Sequence, residues 1–204
     1  MLKAESVLKV PPGLCAKHPD ANYWYEYLPE AQCLYIQYNK CRNDPDDPFA
    51  GFVTALFAFT GEHRPQRVIV DLRFNGGGSS SVIKPLLDGL KSRPELAAKG
   101  HLYALVGSQT FSSGLMAAID LRDSLHAILI GGPTGNKPNH YGEQRNVSLP
   151  NSRLVVHYST KHFHLILDAD PPTLAPDITV SPAISDFLAG RDPVLEAALH
   201  QPSR

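Results

Sequence analysis

The sequence predicts an α/β fold with a hairpin before it and a helix after it. Short apolar runs at residues 67–73, 101–107 and 126–132 are typical of strands buried on both faces of a sheet. Helix-like segments separate these runs, so strand and helix alternate as they do around a parallel sheet with right-handed crossovers. An alternating aromatic stretch upstream predicts the hairpin.

The hairpin lies in residues 22–40. NYWYEYL and CLYIQYN alternate aromatic and polar residues on either side of a turn at residues 29–32. Residues 49–61 are apolar almost all round, and their length favours a buried helix. We therefore expect residues 1–48 to form an N-terminal segment whose hairpin packs on an α/β core of residues 49–204. Together they would form one compact domain or the C-terminal part of a longer protein.

The remaining elements follow in order. After the first apolar run we expect a helix that begins at the serines of residues 79–81 and reaches about Arg93. A second helix should cover residues 112–123. RNVSLP and RLVVHYST predict two strands joined by a turn at residues 150–152. A Pro- and Asp-rich loop should occupy residues 168–182. The last helix, residues 185–199, should break near Gly190.

Composition limits the classes of function. The chain has 204 residues, of which 43% are apolar, so one domain can bury a sizeable core. A net charge of −1 gives no electrostatic basis for binding nucleic acid, and no apolar run approaches the roughly 20 residues of a membrane span. The first residues lack the apolar segment of a signal peptide. We expect a cytoplasmic protein, or an extracytoplasmic one if the chain is part of a longer secreted protein.

The three cysteines give no sign of a disulfide framework. They are odd in number and form no C-x-x-C motif, so we expect free thiols.

Three loops are expected to meet at one edge of the sheet. Glycines 76–78, Ser112 and Lys137 each follow a predicted parallel strand, and the carboxyl ends of such strands converge. Ser112 lies where a strand stops and a helix begins, so free amides of the first helical turn could face a reacting oxygen. A serine needs a base to become a nucleophile, and a lysine that is buried without a carboxylate partner can act as one.

Four blocks together carry a family resemblance: RVIVDLRFNGGG, GSQTFSSGLMAA, ILIGGPTGNK and LAPDITV with GRDPVLEAAL. Their order and the 25-residue spacing from serine to lysine resemble the carboxyl-terminal processing (tail-specific) peptidases. That family includes the tricorn core proteases and retinoid-binding repeats of the eye. The resemblance implies a crotonase- or ClpP-like ββα spiral core and a serine-type peptidase without a PDZ domain. It also implies a polypeptide substrate and no metal or cofactor, and it leaves oligomerisation open.

The same resemblance implies the catalytic roles. Ser112 matches the nucleophile and Lys137 the general base. The backbone amide of Ser113, with that of Gly77 or alternatively Gly76, matches the oxyanion hole.

Scaffold residues and one departure from the family also follow from the motifs. Asp71, Arg73 and Asn75 match the residues that would hold the glycine turn by hydrogen bonds. Leu115 occupies the position, three after the nucleophile, where many members have an acidic residue.

The sequence leaves other assignments open. The glutamine that orients the lysine in some members would fall at Tyr141. His140 could replace Lys137 as base, with Glu143 as an accessory group. His162 and His164 could share a strand face, but no third ligand at suitable spacing supports a metal site. The alternative function is a non-catalytic module that binds a ligand or peptide in the same cleft.

Overall fold

A computed structural model of the chain describes residues 10–11, 13–98 and 100–202. Its strands are β1 (Tyr23–Leu28), β2 (Cys33–Tyr38), β3 (Arg67–Asp71), β4 (Leu102–Val106), β5 (Ile128–Gly131), β6 (His140–Ser148), β7 (Val155–Phe163) and β8 (Ile178–Thr179). Its helices are α1 (Phe49–His63), α2 (Lys84–Lys91), α3 (Ser113–Leu125), α4 (Ile184–Leu188) and α5 (Pro193–Leu199).

Six of the strands form one mostly parallel sheet in the order β1-β2-β3-β4-β5-β8. Only the β1–β2 pair is antiparallel, and it joins the sheet where β2 pairs with β3. The hairpin and the following elements therefore share a sheet. Strands β6 and β7 form a separate antiparallel hairpin with most of its residues exposed.

Successive side chains of a strand point to opposite faces, so the sheet has two cores. One core collects Leu34, Ile36, Val68 and Val70 under α1, α2 and α3. The other collects Tyr35, Ile69, Tyr103 and Leu105 under α5. Burial on both faces explains why these strands are continuously apolar.

The predicted α/β class, hairpin and parallel order are confirmed. The aromatic residues of β1 serve packing, since the Tyr23 and Tyr25 rings contact Phe52 of α1. The helix at residues 49–61 and the break before α5 are also confirmed. The three cysteines are free thiols, as expected.

Two predicted element starts were wrong, and one strand was not predicted. The helix expected from the serines near residue 79 begins only at Lys84, because residues 79–83 form turns ahead of Pro85. Strand β6 starts at His140, five residues before the predicted strand, and β8 lies inside the predicted loop. In residues 13–98 and 100–202, no helix combines the length and apolar character needed to cross a bilayer.

Candidate active site

Ser112 has an unusual backbone conformation. It directly precedes α3, and its φ of 51° and ψ of −122° lie outside the regions that non-glycine residues favour. Such strain costs on the order of 1–3 kcal/mol and persists only where the surroundings enforce it. The result is a half-buried serine on a sharp turn between β4 and α3.

Two neighbouring side chains hold this turn. The Ser112 amide donates to Asn136 Oδ1 at 3.1 Å, from the loop after β5. Thr110 is fully buried, and its hydroxyl donates to the Leu72 carbonyl at 2.9 Å, just past β3. The serine is thus fixed from both neighbouring strand ends.

Asn75 organises the glycine turn. Its buried side chain accepts from the Gly77 amide at 2.9 Å and donates to the Tyr38 carbonyl at 2.7 Å. The Cys41 thiol also donates to the side-chain oxygen of Asn75, Oδ1, at 3.3 Å. The Asn75 backbone carbonyl accepts from the Phe111 amide at 2.9 Å. One buried residue therefore connects the glycine turn to the serine turn.

The glycine turn packs directly on the serine. Gly77 has φ +103°, and a Cβ there would lie 2.9 Å from the Ser112 Cβ and 3.2 Å from the Ser113 nitrogen. Its amide is engaged by Asn75. Within the described part of the chain, the amides of Ser113 and Gly76 have no hydrogen-bond partner. Of the expected oxyanion donors, these two are therefore available for a ligand in this conformation.

Asp71 and Arg73 anchor the start of the turn to α5. Arg73 bridges the carboxylates of Asp71, at 2.6 Å, and Asp192, at 2.7 Å. Tyr35 donates its hydroxyl to the fully buried Asp71. Asp192 also caps α5 by accepting from the Leu195 amide. Burial alone would raise the pKa of Asp192, but the hydrogen bonds and charge of Arg73 outweigh it and lower that pKa below its usual value.

Lys137 does not lie in the cavity that Ser112 lines. Its Nζ is 2.6 Å from Asp170, and both side chains are about half exposed, at 47% and 60%. The hydrogen bond from Lys137 lowers the pKa of Asp170. The two residues line a cavity of about 700 Å³ beside His162 and His164. The carboxylate-free, buried environment that a lysine base needs is not present here.

The Lys137–Asp170 contact is supported by Asn139. Asn139 is 7% exposed, accepts from the Leu165 and Ile166 amides, and donates to the Ala169 carbonyl. It fastens the loop that carries Asp170 to the start of β6.

His140 lies in the cavity of Ser112. This cavity of about 550 Å³ is lined by the glycine turn, the start of α3 and the start of β6. The Nδ1 of His140 is 2.9 Å from the Pro138 carbonyl. Its Nε2 is buried and finds no hydrogen-bond partner among the described residues.

Tyr141 and Glu143 line the same cavity. Tyr141 is 73% exposed, and its ring contacts His162 rather than orienting Lys137. Glu143 has a φ of +52° and lies 3.6 Å from Lys161.

Two further sequence positions have structural explanations. Leu115 is fully buried in the core beneath α3, so an acidic side chain there would lose its hydration. His162 and His164 are neighbours, and no cluster of three or more metal-ligating side chains occurs in the described ranges.

Sequence reasoning missed several residues of the site. Asn136 adjoins Lys137 in the same loop, so its position could have been flagged. Thr110, Asp170 and Asn139 gave no such signal, because their roles depend on contacts distant in sequence.

Neither a family model nor a curated protein sequence matches the chain. Several solved structures, however, have a similar fold. A Bacteroides fragilis protein described as an S41 protease has a TM-score of 0.56 and 17% identity, over 82% of this chain and 53% of its own. A peptidase-like protein from Parabacteroides merdae has a TM-score of 0.56 and 19% identity, over 87% of this chain and 63% of its own.

The photosystem II D1 C-terminal processing protease has a TM-score of 0.53 and 16% identity, over 85% of this chain and 54% of its own. The chain has the fold of an S41 peptidase domain. It spans between about half and two thirds of the length of these S41-like structures.

Proposed function

We propose that the protein is a serine-type peptidase in which Ser112 is the nucleophile. The observation that carries this proposal is the strained backbone of Ser112, held from two strand ends at the N-terminus of α3. A surface serine with a structural role would not need such a conformation. The fold shared with S41 peptidase domains supports the same activity.

The proposed reaction proceeds through an acyl-enzyme. A base removes the Ser112 hydroxyl proton as Oγ bonds to the peptide carbonyl carbon, and the oxyanion is stabilised by backbone amides. The amides of Ser113 and Gly76 are the available donors. The Gly77 amide could contribute if its hydrogen bond to Asn75 Oδ1 breaks. Each such donor is worth roughly 3–4 kcal/mol. The amine then leaves with a proton, and water hydrolyses the ester.

The sequence resemblance assigns the base to Lys137. To act, Lys137 would have to leave Asp170, lose its proton and approach Ser112. Tail-specific cleavage of a polypeptide, the crotonase-like spiral and any oligomer belong to the same proposal, because they rest on that resemblance. The division into residues 1–48 and 49–204 rests on the sequence pattern and stays a prediction.

A binding module on the same fold is the second candidate. The observation that favours it is the Lys137–Asp170 ion pair, which leaves the expected dyad unassembled. In that case the cleft beside Ser112 would hold a peptide or apolar ligand without cleaving it.

A fluorophosphonate probe separates the two functions, because it bonds only to an activated serine hydroxyl. We expect mass spectrometry to place the label on Ser112 and Ser112→Ala to abolish it. Ser80→Ala is the matched control, since Ser80 lines the same cavity without the strained backbone, and it should keep the label. A wild-type protein that stays unlabelled would contradict the peptidase and favour the binding module.

A further inference from the structure

We infer that the turn end of the β6–β7 hairpin binds the surface of an anionic lipid bilayer. Residues 145–158 form this end, and we call them the hairpin tip. None of them lines the cavity of Ser112, so the inference does not depend on the proposed peptidase activity.

The hairpin tip exposes six large apolar side chains. Each keeps between 41% and 64% of its surface in contact with solvent: Val147, Leu149, Leu154, Val155, Val156 and Tyr158. They are contiguous, because Val147 pairs with Val156 across the hairpin and the Leu149 amide donates to the Leu154 carbonyl. A contiguous exposed apolar patch marks a site that meets a protein or a membrane.

The apolar side chains lie on both faces of the hairpin. Paired residues share a face, and successive residues of a strand alternate between faces. The pairs Val147–Val156 and Leu149–Leu154 therefore lie on one face. Val155 lies on the other face and is 50% exposed. A protein partner covers one face of a hairpin, whereas lipid surrounds whatever enters it, so this distribution favours a bilayer.

The hairpin tip is also positively charged. It contains Arg145 and Arg153, both exposed, and no Asp or Glu, although the whole chain has a net charge of −1. An anionic lipid surface attracts basic residues that lie within a Debye length of it. A second copy of the chain would instead bring the arginines of both tips together without an acid in either tip. Charge therefore opposes self-association through the tip and favours anionic lipid.

The spacing along the hairpin fits a shallow insertion. Arg145 pairs with Tyr158, four residues from the Leu149–Leu154 level, which is about 13 Å along the strands. Segments that bind at the interface bury their apolar groups by about 5–10 Å. At that depth the leucines reach the acyl boundary while Arg145 and Tyr158 stay among the headgroups, where tyrosine is enriched.

Two further features limit the depth. Arg153 lies in the turn, and its long side chain can carry the guanidinium back to the lipid phosphates. The outer edges of a two-stranded hairpin leave backbone groups that need water, so the strands cannot enter the hydrocarbon core. The tip therefore rests in the interface and does not span the bilayer.

Sedimentation with lipid vesicles tests the inference. We expect wild-type protein to sediment with vesicles of phosphatidylcholine and phosphatidylserine in equal amounts, and far less with phosphatidylcholine alone. Added salt should weaken binding, because it screens the arginines. The double variant Leu154→Ser with Val156→Ser should bind about 10- to 100-fold more weakly. Arg145→Ala should bind about fivefold more weakly.

Two variants outside the tip are matched controls. Ile184→Ser removes an apolar side chain that is 73% exposed on α4, and Lys84→Ala removes a cation that is 70% exposed on α2. Both should keep the wild-type affinity for the mixed vesicles. Circular dichroism would establish that all variants are folded, which is expected because every substituted side chain is exposed.

Three results would overturn the inference. The first is wild-type protein that stays in solution with both kinds of vesicle, and the second is equal sedimentation of wild type and the double variant. The third is a wild-type dimer, seen by light scattering, that the double variant converts to a monomer, because the tip would then be an interface between copies. Fluorophosphonate labelling of Ser112 without vesicles tests the peptidase separately.

Discussion

The two walls of the Ser112 cleft are built in opposite ways. The wall formed by the ends of β3 and β4 is held by buried polar groups, with Asp71 and Asn75 both fully shielded from solvent. The wall formed by the β6–β7 hairpin is mostly exposed, and its own ion pair, Lys161–Glu143, is open to water. The nucleophile and oxyanion amides thus lie on the rigid wall, and His140 lies on the adjustable one.

The largest expected effect is on the rigid wall, in Arg73→Ala. Removal of Arg73 leaves the Asp71 and Asp192 carboxylates buried without their cation, which should lower the free energy of unfolding by about 3–5 kcal/mol. Urea denaturation measures this loss. The control is Lys84→Ala, which breaks an exposed pair with Asp88 and should cost about 0.5 kcal/mol or less. A loss no larger than that of the control would show that the wall is not held by this network.

A smaller effect is expected in the acid sensitivity of the same network. Because the pKa of Asp192 is lowered on folding, its stabilising contribution is complete above the ordinary aspartate pKa of about 3.9. The contribution is lost as the pH falls through the lowered value. Asp192→Asn should therefore reduce the steepness with which stability falls below about pH 4.

Urea midpoints across that acid range measure the steepness. The control is Asp88→Asn, whose side chain is 54% exposed, and it should keep the wild-type slope. Equal slopes for wild type and Asp192→Asn would contradict the role given to Arg73.

The smallest effect is expected on the adjustable wall, in Glu143→Gln. This change removes the exposed ion pair with Lys161 that water already screens, so the thermal midpoint should stay where it is in wild type. Differential scanning calorimetry measures it. A clear fall in the midpoint would show that this wall is also held rigidly, and the contrast between the walls would then fail.

The sequence predicted the parts of the fold that depend on local patterns. Continuous apolar runs marked β3, β4 and β5, and the aromatic alternation marked β1 and β2. The start of β6 was missed because none of its residues is buried, so its sequence carries no alternation of apolar and polar residues. The two-residue β8 is too short to give any periodic signal.

The candidate site was likewise predicted only where local sequence patterns determine it. Ser112 and the glycine turn were predicted because loops after parallel strands converge, and the structure brings them into contact. The Lys137 environment could not be predicted, since Asp170 lies 33 residues away in a loop without regular structure. Likewise, the bond between Arg73 and Asp192 spans 119 residues. Whether Ser112, Lys137 and the oxyanion amides act as the resemblance implies stays a prediction.

The Cys41 thiol gives the glycine turn a built-in reporter of its own motion. Cys41 is 1% exposed and bonds to Asn75, and burial raises its pKa above the ordinary thiol value. A thiol reagent can reach it only when the turn opens, so its modification rate measures the free energy of that local opening. Cys33, fully buried in the sheet, supplies an internal reference for opening of the core. The ratio of the two modification rates measures how often the glycine turn opens while the core of the sheet stays folded.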